Sequence, residues 1–311
     1  MPRTLVLALS LVLLGCGGGQ QLVPGDGRLQ VEGGEIFYRV VGNGPGAPVI
    51  TLHGGPGYSS YYLDPLAALG AERPVVLYDQ LGSGRSEHVM DTSLYKVDRF
   101  VRELDSLRRA LRIERFHLYG HSWGSMLALE YLATKPSGVL SVVLASPVIT
   151  SDSWAADGAV LLATLPDSIQ QVVALHEAAG TTASPEYQNA VMAYMAKYVF
   201  GMEGPMPAEL DSAVATFNPL VYETMWGPSE FRPTGTLKTF DRAATLAALD
   251  LPILFTAGRH DEARPETVER FAATNPRASV KIFERSAHLT MLTEPEAYVA
   301  ALNEFFRAHD P

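Results

Sequence analysis

Short apolar segments alternating with amphipathic helices predict an α/β fold: a mostly parallel sheet, helices on both faces, and an inserted helical cap. Three observations carry this. Runs such as PVITL (48–52), PVVLY (74–78) and LPILFTA (251–257) are short, apolar and bounded by turn residues, as strands buried on both faces are. Between Val97 and Leu111, apolar residues at 97, 100, 101, 104, 107 and 111 trace one helical face and the charges fall on the other. From 148 to 236 the rhythm lapses into short helices rich in Ala, Met and aromatic residues and broken by several prolines.

In chain order, residues 29–41 (LQVEGGEIFYRVV) break at Gly33-Gly34 and read as a β-hairpin. The strands at 48–52 and 74–78 follow, then the helix from Val97. Residues 116–119 form the next strand, and 123–134 (WGSMLALEYLAT) an apolar helix that stops near Pro136. Strands at 140–145 and 251–257 flank the 148–236 insertion, so the insertion is a cap over the carboxyl edge of the sheet, where open α/β sheets bind ligands. A helix at 266–274, a strand at 278–284 and an amphipathic helix at 295–308 close the chain. The core therefore comprises 28–147 and 237–311.

The chain of 311 residues, 47% of them hydrophobic, is long enough for one large α/β domain carrying an insertion. A formal net charge of −10 argues against a nucleic-acid partner and suits cationic substrates. Arg3 precedes the apolar run LVLALSLVLL (5–14), which is too short to span a bilayer and reads as an export signal over residues 1–15. Leu13-Leu14-Gly15-Cys16 resembles a bacterial lipoprotein box, in which Cys16 would become the lipidated first residue. Cys16 is the single cysteine, so no internal disulfide forms, and the polar residues that follow it read as a tether over 16–27. The expectation is an exported lipoprotein held on a membrane, periplasmic or at the cell surface. A plain signal peptide with an incidental cysteine is the alternative.

The chemistry centres on Gly120-His121-Ser122-Trp123-Gly124. It follows the strand FHLY and opens a helix, the context a nucleophile elbow needs, and this makes the expected fold the α/β-hydrolase fold with Ser122 as nucleophile. A serine hydroxyl needs a base, and the base an orienting acid; in this fold the order along the chain is serine, acid, histidine. Asp261 follows the strand at 251–257 directly, and His288 lies in the loop after the strand at 278–284. Asp241 reads instead as a cap-boundary residue, Asp250 as a helix end, His260 as a loop residue and His309 as part of a solvated tail. His53-Gly54-Gly55 follows the strand at 48–52, where an oxyanion loop belongs, so the Gly55 and Trp123 backbone N–H groups are the expected donors. His53 reads as a hydrogen-bonding buttress of that loop rather than a second base. No cluster has metal-ligand spacing, and no cofactor is expected.

HGGPG (53–57), YDQLGSGRS (78–86), GHSWGS (120–125), GRHDE (258–262) and SAHLTM (286–291) together resemble the proline iminopeptidase family of serine peptidases, over roughly residues 28–308. MWGPSEF (225–231) and TGTLKTFD (234–241) are most similar to its tricorn-interacting aminopeptidase branch. The resemblance implies removal of N-terminal residues, proline preferred, from short peptides or aminoacyl amides with a free N-terminus. It also implies that Glu230 from the cap and Glu262 beside Asp261 hold the substrate amine. An amino-acid amidase, esterase or lactonase on the same triad, or a non-catalytic binding protein on this fold, remain the other readings. Trp154, Tyr194, Tyr198, Phe217, Tyr222 and Trp226 are divided between pocket and cap core, with most expected in the core.

Overall fold

A computed structural model describes residues 22–202 and 204–311. The predicted signal at 1–15, Cys16 and the tether as far as residue 21 lie outside the described residues. Among those described, no helix is long and apolar enough to cross a membrane.

Eight strands form one sheet: β1 (Gly25–Val31), β2 (Gly34–Val41), β3 (Val49–Leu52), β4 (Val75–Asp79), β5 (Phe116–His121), β6 (Val139–Ala145), β7 (Ile253–Gly258) and β8 (Ala278–Phe283). Their spatial order is β1-β2-β4-β3-β5-β6-β7-β8. β1, β2 and β4 pair antiparallel, and every pairing from β4 to β8 is parallel. The apolar runs at β3, β4, β5 and β7 are buried along their whole length, as strands covered on both faces must be.

The hairpin begins earlier than predicted. Gly25, Asp26 and Gly27, assigned to the tether, pair in register with Val40, Arg39 and Tyr38, and Arg39 Nε sits 2.7 Å from Asp26 Oδ1. Polar, glycine-rich sequence hid a strand whose stability comes from its partner.

Helices α1 (Val97–Ala110) and α2 (Trp123–Ala133) cover one region of the sheet. Phe100, Leu104 and Leu107 form the buried face of α1. Two of its charges, Arg99 and Glu103, are nevertheless buried against expectation. They pair with each other, Arg99 also donates to the Glu32 carbonyl, and Glu103 accepts the Leu81 N–H, so neither charge is left uncompensated. α2 is buried all round except near its end, which is why its sequence is apolar on every face.

The cap contributes α3 (Ser151–Leu162), α4 (Asp167–Ala179), α5 (Pro185–Met195), a π-helical turn (Ala196–Phe200), α6 (Ala208–Ala215) and α7 (Pro219–Met225). A bridge between Thr150 and Asp241 ties off its base, a few residues beyond the predicted 236. The core then resumes with α8 (Ala243–Ala248), α9 (Pro265–Ala272), α10 (Thr290–Thr293) and α11 (Pro295–Arg307).

The C-terminal tail is not solvated. Asp310 accepts hydrogen bonds from both terminal guanidinium nitrogens of the buried Arg73, at 2.9 and 3.1 Å, and from the Ala47 N–H at 3.0 Å. His309 is half-buried, its Nδ1 2.7 Å from the Phe305 carbonyl. A buried arginine needs a fixed carboxylate, and the tail supplies it.

Candidate active site

The elbow sits where β5 turns into α2. Ser122 adopts φ 54° and ψ −121°, a left-handed conformation that a side-chain-bearing residue rarely holds. Neighbouring backbone explains the flanking glycines. A Cβ on Gly120 would collide with the Gly124 carbonyl, and one on Gly124 with the Leu52 carbonyl. The turn is pinned by the Ser122 N–H donating to Ala145 O at 2.9 Å and by Ser125 Oγ donating to Ser122 O at 2.6 Å.

Asp261 lies in the loop after β7 and His288 in the loop after β8, and both are buried. Asp261 Oδ1 accepts from His288 Nδ1 at 2.7 Å and from the Ala263 N–H at 2.8 Å. Its Oδ2 accepts from Ser146 Oγ at 2.6 Å and from the Gly258 N–H at 3.2 Å. Four contacts fix the orientation of this carboxylate, and its Oδ1 faces Nδ1, the side from which the imidazole donates. Ser122 and His288 open on one cavity. The other candidates lie elsewhere. His260 is exposed, Asp250 pairs with Arg277 on the surface, and Asp241 accepts the Ala243 N–H at the start of α8.

Gly54 and Gly55 line the same cavity, and so does Trp123. Gly55 has φ 111°, which only glycine adopts readily. His53 is fully buried behind the loop, with Nδ1 3.0 Å from the Gly54 carbonyl and Nε2 accepting the Gln80 N–H at 3.0 Å. Both ring nitrogens are engaged, and burial lowers its pKa, so the ring is a neutral buttress.

Several contributors were missed in the sequence. His121 Nε2 donates to the His288 carbonyl at 2.9 Å, while its Nδ1 meets Tyr62 Oη at 2.9 Å. Tyr62 Oη in turn accepts the Gly54 N–H at 2.5 Å. One chain of hydrogen bonds thus joins oxyanion loop, elbow and base loop. The histidine within GHSWG was the available signal; Tyr62 and Ser146 carried none.

The cavity has a volume of about 350 Å³. Trp154, Phe217, Tyr222 and Trp226 line it, together with Tyr58 and Tyr187. Tyr194 and Tyr198 instead pack with Phe231 inside the cap. Four of the six aromatic residues singled out in the sequence line the cavity, and two of these, Trp154 and Trp226, also belong to the buried core.

Glu230 and Glu262 face the same space. Tyr222 Oη donates to Glu230 Oε2 at 2.6 Å, whereas Glu262 Oε2 is buried with no hydrogen-bond partner. Glu262 Oε1 lies 3.6 Å from His288 Nε2. Burial raises the pKa of both carboxyls; the negative charges of Glu230 and Asp261 raise Glu262 further. Solvent reaches part of Glu230 through the cavity, but protein surrounds its carboxyl closely enough for desolvation to dominate. Burial and these two carboxylates also push the Tyr58 hydroxyl up to about 12. An acidic pair with an unpartnered oxygen, set between aromatic walls, has the chemistry to accept an organic cation.

A family model described as the alpha/beta hydrolase fold matches residues 47–295. A proline iminopeptidase of Heyndrickxia coagulans is 43% identical, covering 91% of this chain and 99% of that protein. The proline iminopeptidase of Levilactobacillus brevis is 36% identical over 89% of this chain and 94% of its own. Among solved structures, the Mycobacterium smegmatis proline iminopeptidase superposes with a TM-score of 0.83 at 33% identity, covering 92% of this chain and 98% of the other.

Proposed function

The chain belongs to the proline iminopeptidase family of α/β-hydrolases, and on that premise we propose that Ser122, Asp261 and His288 release the N-terminal residue of short peptides through an acyl-enzyme. His288 Nε2 takes the Ser122 proton as Oγ attacks the first peptide carbonyl. The Gly55 and Trp123 N–H groups stabilise the oxyanion that forms. His288 then passes the proton to the leaving amine as the C–N bond breaks, and a water activated by the same imidazole hydrolyses the ester. Glu230 and Glu262 hold the substrate ammonium throughout.

The observation that carries this reading is the position of the acidic pair. Glu262 Oε1 is 3.6 Å from the base, so an ammonium bound there belongs to the residue whose carbonyl meets Ser122. A carboxylate pair at that distance admits one residue on the amine side of the scissile bond and excludes internal cleavage.

Proline is the proposed first residue, supported by the named relatives and by the apolar, aromatic walls. Its test is the rate on Pro-, Ala- and Leu-arylamides. The kcat/KM for Pro-arylamide is expected to be the highest of the three, and a lower value than for Leu-arylamide would remove the proline assignment.

We further propose that the protein is exported and held on a membrane through lipidated Cys16. The basic start, short apolar run and single cysteine support this. Cys16→Ser is expected to move the protein from the salt-washed membrane fraction to the soluble one. Retention in the membrane fraction would refute the anchor.

A further inference from the structure

Three buried side chains beside the cavity, His53, Gln80 and Trp123, form a bracket between the two segments that carry the proposed oxyanion donors. Gln80 follows β4 and reaches both. Its backbone N–H donates to His53 Nε2 at 3.0 Å, and its side-chain Nε2 donates to the His53 carbonyl at 3.1 Å. Its Oε1 accepts the Trp123 indole N–H at 2.7 Å. All the side-chain polar atoms of Gln80 are thus committed to holding one segment against the other.

The first of these bonds has a consequence for Gly55. A His53 Nε2 that accepts from Gln80 leaves the proton on Nδ1, which donates to the Gly54 carbonyl at 3.0 Å. The Gly54–Gly55 peptide is trans, so its N–H points opposite its carbonyl. Holding the carbonyl back against His53 aims the Gly55 N–H away from the buttress. The indole bond does the equivalent for the elbow, since Trp123 bears the second donor on its own backbone. The indole also packs edge-on against Phe100, with ring centroids 5.9 Å apart.

We propose that Gln80 is a positioning residue for the oxyanion hole, fixing the separation and aim of the Gly55 and Trp123 N–H groups through His53 and the Trp123 indole. The proposal rests on the reading that these two N–H groups form the hole. Gln80 touches neither substrate nor reacting atoms in this role. Its effect falls on the tetrahedral state, where a displaced donor costs most, and spares the ground state.

The test compares Gln80→Met, which keeps the length of the side chain and removes its polar contacts, with the wild type. On Pro-arylamide, kcat is expected to fall about 10- to 100-fold while KM stays within about threefold. Binding of pyrrolidin-2-ylboronic acid, whose serine adduct is tetrahedral, is expected to weaken by the same factor as kcat. Inhibition by proline itself stays within about threefold. Trp123→Phe breaks the same bond from the other side, and the double variant is expected to be no worse than the poorer single one. Should Gln80→Met fail to fold, Trp123→Phe carries the boronate comparison. An unchanged kcat, an unchanged boronate affinity, or multiplying effects of the two substitutions would each overturn the role of Gln80. A wild-type enzyme that binds the boronate no more tightly than proline would instead overturn the Gly55–Trp123 hole.

Discussion

Replacing Ser122 by alanine is expected to lower kcat on Pro-arylamide by about 10⁵- to 10⁶-fold while leaving the affinity for proline nearly unchanged. The hydroxyl is the only part of the side chain that reacts, and the strained backbone of the elbow is set by its surroundings. Ser122 N–H is held by Ala145 O, and close packing among Gly120, Gly124 and Leu52 fixes the turn. Alanine carries the same Cβ through the same φ of 54° and disturbs none of these contacts. Loss of the nucleophile therefore separates cleanly from loss of the fold. Glu230, Glu262 and the cavity walls, proposed above to hold the amine, are untouched by the substitution. Residual turnover is expected at the level that binding and the oxyanion donors alone provide, about 10³- to 10⁴-fold above water. Pre-steady-state measurement on a prolyl aryl ester supplies a second check, because the burst of phenol released with acyl-enzyme formation should vanish. A variant that keeps a tenth of the wild-type rate would refute the serine mechanism outright.

The elbow could be read in the sequence because everything that makes it is local. Strand, glycine, serine, glycine and helix are contiguous, and each glycine answers a backbone collision within the same turn or with the adjoining strand. The placement of Asp261 and His288, each in the first loop after a parallel strand, was legible through order along the chain.

The division of the cap's aromatic residues between core and cavity was not, for a physical reason. Its helices leave apolar side chains such as Val160, Leu175, Met192 and Val214 exposed, so apolar periodicity does not mark their buried faces. The π-helical turn after α5 adds a residue to the rotation at 196–200. Tyr194 and Tyr198 stay in the cap interior while Val199 and Phe200 face the cavity. Gln80 was hidden differently. Its indole partner lies 43 positions away, and such a pairing exists only once β4 and α2 are brought together by the sheet. The buried Arg99–Glu103 pair on α1 was equally invisible, since charged residues on a helix read as solvent-facing until Glu32 and Leu81 arrive to complete their hydrogen bonds.

Acetylating the substrate amine is expected to lower kcat/KM by about 10⁴-fold or more, the largest discrimination this site offers between substrates. Removing the positive charge does more than remove an attraction. Glu230 and Glu262 would then be shut beneath a neutral acyl group with Glu262 Oε2 still unpartnered, or would have to take up protons before the substrate could seat. The acetyl group would also occupy space that the two carboxylates close off. The raised pKa values of the pair set the sign of the pH effect. Each carboxyl binds ammonium only when ionised, so as pH falls through these raised values the pair gains protons and KM for free-amine substrates rises. That rise begins above the ordinary carboxylate range. On the alkaline side, binding weakens as the substrate amine loses its own proton, at about pH 8 for a peptide α-amine. Glu262→Gln keeps the shape and removes one charge. It is expected to raise KM for Pro-arylamide by about 10- to 100-fold and to narrow the gap between free and acetylated substrates. Steady-state rates on the matched pair, with wild type and Glu262→Gln, decide the matter. Equal turnover of free and acetylated substrate by the wild type would show that the acidic pair does not select the amine, and the exo-acting assignment would fall with it.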